Sequence, residues 1–439
     1  MAKHGAGLRV GIVGAGMAGS SAAYFIRQRL GSGAEVVVYE RGQTVGGRVQ
    51  EIEIAGNLVA AGASIAHSTN RYFVGLVEAL GLRQKRYATK TLGTWNGQRF
   101  GFRTVGARWR DRVQMLRRYG MSPLRAEGLV KQFLLRLVPV YDLLDQGRGF
   151  ADPQELFSTL GLYELSRQSS GDYFRRQGVS SRFLEEIIDG VSRSNYGQGS
   201  EIHALVNLVS LAGAAMGGYL LSVQEGNSAV CRGLLQASGA TVRTGTAVAE
   251  VSCLGGLEYT VTTAGGDTER FDAVIVAAPL ELAGIRFAGV TLPKPSWLAR
   301  PFQVTHVTFV VGQLSPGYFG LRTAAELPAT IMTRDSHDIP FSGIGTWGKA
   351  PGSDHTVYKV FSRQELSEEL LSRLFSLRVH TLRIVWQAYP ILRPETAWPP
   401  FVLNRGLYYV NAMESGVSTM ETEIMASRNA VNLLMKDFC

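Results

Sequence analysis

The sequence predicts an α/β fold of two domains, one wound around a parallel dinucleotide-binding sheet and the other mixed helical and β-sheet. Three observations lead there: a chain of 439 residues, a composition 45% apolar and only 18% charged, and a glycine turn set between a strand and a helix. The length suits two or three domains, each able to bury a core. The composition excludes a disordered chain. The 51 glycines follow no period and come with only 15 prolines, so collagen-like and low-complexity readings drop out.

Residues 8–13 form a short apolar run that reads as a buried strand, and Gly14-Ala15-Gly16-Met17-Ala18-Gly19 follows at once. Residues 20–30 read as a helix, and 35–39 as a second strand that ends at Glu40. Gly14 permits the tight turn, Gly16 lets a pyrophosphate approach the backbone, and Gly19 lets helix and strand pack closely. The helix N-terminus favours an anion. Glu40 stands 21 residues beyond Gly19, placed to accept from the hydroxyls of an adenosine ribose. A glycine turn alone is weak evidence. With strand, helix and terminal acid all present, it predicts a Rossmann-type dinucleotide site.

Just past the acid, Val45-Gly46-Gly47-Arg48 resembles the second fingerprint of two-domain FAD proteins of the amine-oxidase and glutathione-reductase-like type; without the resemblance it is a plain turn. The resemblance implies FAD, with Arg48 near the phosphates and flavin and with Arg41, Gly47, Gly62 and Ala63 along the cofactor. It also implies a backbone contact to adenine at Val248, within a strand expected over 240–250. Residues 271–278 read as another buried strand. At the C-terminus a strand over 406–412 leads to a helix over 418–435, whose N-terminus would point at the flavin. Asn411-Ala412-Met413-Glu414 stands where such proteins carry Gly-Asp or Gly-Glu, so Glu414 is either a cofactor residue or a helix-capping carboxylate. The FAD domain is therefore expected to be discontinuous, 1–88, 223–290 and 400–439, with 89–222 and 291–399 forming the substrate domain. In the latter a helix is expected over 127–146, around Pro139, and strands over 303–311 and 356–361.

What is absent narrows the chemistry. No second Gly-x-Gly-x-x-Gly follows a strand, so a separate NADPH site is not expected and the substrate itself should reduce the flavin, as in an oxidase. Seven histidines without His-Glu-x-x-His spacing argue against a metal site, and three cysteines (Cys231, Cys253, Cys439) against a disulfide framework. There is no Gly-x-Ser-x-Gly elbow for a serine nucleophile. Lys and Arg exceed Asp and Glu by 45 to 36, yet no nucleic-acid-binding signature accompanies the charge of +9, and nucleic acid is not expected as a partner.

Further blocks are more specific. Gly62-Ala63-Ser64-Ile65-Ala66-His67-Ser68-Thr69-Asn70, Ser194-Asn195-Tyr196-Gly197-Gln198, Ser210-Leu211-Ala212-Gly213-Ala214 and Val223-Gln224-Glu225-Gly226-Asn227 resemble the prenylcysteine oxidase (farnesylcysteine lyase) family. So do Trp386-Gln387-Ala388-Tyr389-Pro390 and Leu407-Tyr408-Tyr409-Val410-Asn411-Ala412. The resemblance implies FAD-dependent oxidation of the thioether of S-farnesyl or S-geranylgeranyl cysteine, a hydrophobic small-molecule substrate, by molecular oxygen. The products would be a prenyl aldehyde, cysteine and hydrogen peroxide. A prenyl C1 hydrogen is allylic and beside sulfur, so hydride loss to flavin N5 leaves a cation shared by the allyl system and the sulfur lone pair. Water then adds at C1, and the hemithioacetal collapses to aldehyde and thiol. The protein's share is a dry apolar slot and orientation.

On the family's pattern His67 is the first choice for a catalytic residue beside the flavin or the incoming water, with a core or capping histidine as the alternative. Tyr196 and Gln198 are the next choices, lining the substrate cavity or forming a plain turn. Glu225 and Asn227 stand near the isoalloxazine or cap the helix that follows. An amine oxidase or polyene desaturase acting on another hydrophobic substrate would share Gly14 to Arg48 but need not share Tyr196-Gly197-Gln198.

The sequence departs from the animal members, which are lysosomal, in showing no secretory signal before its first strand; a location in the cytoplasm or peripheral to a membrane is expected. Its middle, about 87–184, resembles the family loosely. Residues 99–118 hold seven arginines (Arg99, Arg103, Arg108, Arg110, Arg112, Arg117, Arg118) against Asp111, with Trp109, Val113 and Leu116 at helical spacing. They read as a basic amphipathic helix lying on an anionic membrane, or as the solvated face of a helix packed on the substrate domain.

Overall fold

The computed structural model describes residues 7–439 other than 89, 216, 254, 256, 257, 293–298, 395 and 396. In it the apolar run Leu8–Val13 lies inside a six-stranded sheet, paired in parallel with Ala34–Tyr39 on one side and Ala273–Val276 on the other. Thr241–Arg243 and Leu407–Tyr409 extend the sheet in parallel, and Val402–Asn404 closes it antiparallel. Every residue of Ala273–Val276 is buried, as expected for a central parallel strand covered on both faces. The helices Ser228–Ser238 and Met420–Phe438 both pack on the first helix, Met17–Leu30, and Ser427 Oγ donates to Ala18 O at 2.7 Å. Phe271 also seals this sheet: its ring meets Tyr39 edge-on at 6.2 Å, and a Cβ on Gly11 would come within 3.0 Å of it.

A second, seven-stranded sheet runs in the order Phe375–Pro390, Phe302–Leu314, Thr356–Ser362, Gly343–Lys349, Thr330–Thr333, Leu92–Trp95, Phe100–Arg103. Helices cover it in part: Asp189–Tyr196 packs on Thr330–Thr333, and Ser122–Leu137 packs on Ala204–Ala215. The edge strand Phe375–Pro390 matters most for function. Its last residues return to the first sheet and meet the turn that follows Leu407–Tyr409.

Several expected elements differ in extent. The strand expected over 240–250 is two strands in different sheets, Thr241–Arg243 and Val248–Cys253, because Gly245 turns the chain at φ +64°. The strand over 271–278 is shorter, Ala273–Val276. The strand over 406–412 stops at Tyr409, where a 3-10 turn, Val410–Ser415, takes over. The helix over 127–146 is two, Ser122–Leu137 and Pro139–Asp145, since a proline lacks the N–H that a helix interior needs but not that of a first position. In the stretch 99–118, Arg99 and Arg103 belong to a β-hairpin, and only Arg108–Tyr119 is helical. The last helix is capped by Thr419 with Thr422, so Glu414 is not its cap. Among the described residues no helix is long and apolar enough to cross a membrane, and no cluster of three metal-ligating side chains occurs.

Candidate active site

At the C-terminal end of Leu8–Val13 the glycines separate by function. Gly14 has φ +106°, and a Cβ there would come within 2.6 Å of Ala277 O. A Cβ on Gly19 would collide with Gly14 O. Gly16 is different. Its backbone is extended, and a Cβ there would meet only Gly46 O, at 3.7 Å. Packing within the protein therefore does not require glycine at 16; an approaching group does. The helix that starts at Met17 has no side-chain cap and no acid in its first turn, so its N–H groups and positive dipole end stay available to an anion. These features fit a dinucleotide pyrophosphate.

Around this cradle the expected partners assemble. Glu40 accepts from Ala15 N at 2.9 Å and Gly42 N at 2.8 Å, one bond to each oxygen, which leaves further lone pairs for hydroxyls. Thr246 N donates to Glu40 O at 2.8 Å and so brings Val248, the buried first residue of its strand, alongside. Arg41 is exposed and donates to Leu282 O at 3.0 Å. Gly46 N donates to Ala15 O at 2.9 Å, which lays Gly46-Gly47-Arg48 against the glycine turn.

Arg48 ties three distant segments together. Nη1 donates to Ala388 O at 2.9 Å and to Glu414 Oε2 at 3.1 Å, while Nη2 donates to Glu414 Oε1. Burial opposes the charge, but the Glu414 carboxylate outweighs it and holds the guanidinium above its ordinary value. A guanidinium has five N–H groups, so two remain for a ligand. Asn411 Nδ2 bridges Glu414 at 2.5 Å and Glu423 at 3.2 Å. Burial first, and then the Glu414 charge, push the Glu423 carboxyl well above the usual carboxylate range.

Next to Ala388, Tyr389 meets Tyr196 edge-on with ring centroids 4.9 Å apart. Tyr196 is buried and Tyr389 partly so, and Tyr196 Oη donates to Ser418 O at 3.3 Å. Gln198 is buried with its amide engaged: Nε2 donates to Pro390 O at 3.1 Å and to Tyr196 O at 3.4 Å, and Oε1 accepts from Leu392 N at 2.8 Å. It holds segment 390–392 in place.

Gly62 and Ala63 lie on the other side of Arg48. Ala63 N donates to Arg48 O at 3.0 Å, and a Cβ on Gly62 would press on the Trp386 ring. Asn227 does not cap its helix; Nδ2 donates to Ala63 O at 3.0 Å and Ser64 O at 3.1 Å. Glu225 is turned outward and paired with Arg83 at 2.7 Å. His67 sits in the short strand Ala66–His67, paired with Leu220–Val223. His67 Nδ1 lies 2.8 Å from Thr69 Oγ1 and 3.3 Å from Thr69 N, and Nε2 is buried with no partner among the described residues.

The sequence model of the prenylcysteine lyase family matches residues 102–439, and that of an NAD(P)-binding Rossmann-like domain matches 12–80. The chain belongs to the prenylcysteine lyase family. It is 34% identical to a farnesylcysteine lyase of Arabidopsis thaliana over 448 residues, covering 97% of this chain and 88% of that one. It is 30% identical to prenylcysteine oxidase 1 of Homo sapiens over 450 residues, covering 97% and 88%. Among solved structures, cyclohexylamine oxidase from Brevibacterium oxydans IH-35A superposes with a TM-score of 0.65 at 15% identity, over 98% of this chain and 99% of that one, a likeness of fold.

For a member of the prenylcysteine lyase family, two cations beside these segments went unread in the sequence, the mostly covered Arg300 and the buried Lys359. Arg300 bonds Glu281, Ser415, which is next to Glu414, and, at 3.3 Å, Tyr409 Oη. Lys359 lies within the strand Thr356–Ser362. A lysine at an inward position of an alternating apolar strand was the signal for the second; nothing local marked the first.

Proposed function

We propose that the protein is an FAD-dependent oxidase that cleaves the thioether of a farnesyl- or geranylgeranyl-cysteine to a prenyl aldehyde, cysteine and hydrogen peroxide, with molecular oxygen as acceptor. The observation that carries this reading is the family match over 102–439, which takes in most of the seven-stranded sheet and both Ala388 and Glu414, which meet Arg48. The relatives named farnesylcysteine lyase and prenylcysteine oxidase align over nearly their whole lengths, whereas the amine-oxidase likeness is one of fold alone. The cofactor is FAD, which when bound accepts the C1 hydride at N5.

The residues divide the remaining work. Gly14, Gly16 and Gly19 receive the pyrophosphate, Glu40 the ribose hydroxyls and the Val248 backbone the adenine. Arg41, Gly47, Gly62 and Ala63 run along the rest of the cofactor. Arg48 offers it two N–H groups while Glu414 keeps the guanidinium from swinging. Tyr196, with Tyr389, excludes water from the prenyl chain, Gln198 positions the wall they stand on, and His67 uses its unpartnered Nε2 to orient the water that adds at C1. Residues 1–88, 223–290 and 400–439 hold FAD; 89–222 and 291–399 hold the substrate. Arg108–Tyr119 leaves Trp109 and Val113 in solvent at 67% and 41% exposure beside Arg110, Arg112 and Arg117, which supports peripheral contact with an anionic membrane, where a prenylated substrate partitions.

Anaerobic mixing with S-farnesylcysteine, a polyamine and a polyene tests the reading. Flavin absorbance should bleach with the thioether alone as one equivalent of aldehyde forms, and peroxide should appear once oxygen is admitted, without NADPH. Bleaching by the amine or polyene and not by the thioether would overturn it.

A further inference from the structure

We infer that Lys359 supplies the positive charge for the oxygen half of the reaction, stabilising the negative charge that forms on dioxygen beside segment 60–64. The inference rests on the oxidase reading above. Lys359 is 1% exposed, on the same face of its strand as Val357 and Phe361, and its register partners are Phe309 and Gly345. Nζ donates to Ala60 O at 2.7 Å and to Ser64 Oγ at 3.0 Å. The rings of Phe361, Trp347 and Phe309 surround it at 4.6, 5.2 and 5.9 Å.

Among the described residues no carboxylate pairs with it. The other ionisable groups of its own and the flanking strands are Tyr358, His306 and Lys349; on the strand Glu51–Ile54, which pairs with Asn57–Ala60, Glu51 is engaged by Ser228 and Glu53 is exposed. Burial alone pulls its ammonium down to about 7. A buried charge without a counter-ion is costly, and a methionine would fill the same apolar slot without that cost. The hydrogen bonds to Ala60 and Ser64 and the surrounding rings offset part of that cost, and a charge held at the remaining expense points to a use beyond packing. An ammonium has three N–H groups; two are spent on the 60–64 segment, and one is left for an acceptor.

That segment carries Gly62 and Ala63, which pack against Arg48 and Trp386. An uncompensated cation in such dry surroundings acts most strongly on a charge that appears only during reaction. Dioxygen is reduced by the two electrons the cofactor took from C1, gains the hydrogen held at N5 and one solvent proton, and leaves as hydrogen peroxide. Negative charge develops on oxygen along the way, and Lys359 stabilises it while keeping its own protons. The same charge opposes the cation left at C1, so removing it should not slow flavin reduction.

Stopped-flow measurement of each half-reaction tests this, with Lys359→Met and with Lys359→Gln, which retains N–H donors for Ala60 and Ser64. After reduction by dithionite, reoxidation by oxygen should fall by about tenfold to a hundredfold in both variants. Anaerobic reduction by S-farnesylcysteine should be unchanged or faster. In the wild type, reoxidation should slow as pH rises through about 7, and the variants should show no such step. A second readout needs no turnover. The native lysine loses its proton near 7 and the unfolded one only near its ordinary value, so stability of the wild type relative to Lys359→Met should rise between those values. Variants that reoxidise at the wild-type rate would overturn the inference. Failure of the thioether to reduce the wild type would instead count against the oxidase reading, since dithionite keeps the oxygen step measurable.

Discussion

Arg48 and Glu414, 366 residues apart in sequence, face each other inside the molecule: Nη1 meets Oε2 at 3.1 Å, Nη2 meets Oε1, and the carboxylate is 0% exposed. The pair locks the second glycine fingerprint to the turn before the last helix, with Ala388 O as a third point of attachment. Glu414→Ala strips the guanidinium of its counter-charge and should cost about 3 kcal/mol, the lower end for breaking a buried pair because Arg48 keeps some solvent contact. Glu414→Gln keeps the shape and should cost less. Chemical denaturation and the FAD-to-protein absorbance ratio check both, with FAD content expected to fall in the same order.

Gly16 and Gly19 should respond in opposite ways. Gly16→Val places its Cβ in space bounded only by Gly46 O at 3.7 Å, so the apoprotein should stay folded while FAD retention is lost. Gly19→Ala collides with the Gly14 carbonyl and should destabilise the apoprotein itself. Thermal denaturation of the two apoproteins, beside their flavin content, separates the roles. Full FAD retention by Gly16→Val would contradict the cradle.

His203 gives a pH signature. It is fully buried, Nε2 lies 3.0 Å from Ser415 O, and burial pulls its pKa from 6.5 to about 4. Between those values the unfolded chain binds the proton and the native one does not, so stability falls as pH drops through that window. The loss should reach about 3 kcal/mol by the bottom of the window. His203→Gln, which retains a donor for Ser415, should remove that slope; urea denaturation of both proteins across the range measures the difference.

The helix Arg108–Tyr119 offers a surface test. Arg118 is bound to Glu186 at 2.6 Å and 2.7 Å, and Tyr119 is buried, so these two anchor the helix. Arg110, Arg112, Val113, Arg117 and Trp109 remain outward. The wild type should co-sediment with anionic vesicles at low salt and be released at high salt. Replacing Arg110, Arg112 and Arg117 by Glu should abolish the association without changing the thermal midpoint. Wild type left in the supernatant at low salt would end the membrane reading.

The opening of the fold was legible because its causes are local. The apolar run 8–13, the three glycines and the terminal Glu40 lie within one supersecondary unit, where turn sterics and helix polarity set the structure before any distant segment arrives. The break at Gly245 and the 3-10 turn after Tyr409 were not legible, since continuous apolar composition does not say where one sheet ends and the chain must leave it. The site divides along the same line. Motif spacing marked Gly16, and family resemblance marked Arg48, His67, Tyr196 and Gln198. Only tertiary packing decided that Gln198 spends its amide on segment 390–392, that Arg48 meets Glu414, that Trp109 stays in solvent, and that Lys359 is buried among rings with no carboxylate paired to it among the described residues. Each of these depends on contacts between segments far apart in the chain, and the burial, charge compensation and spare hydrogen-bonding capacity they create exist only once those segments meet.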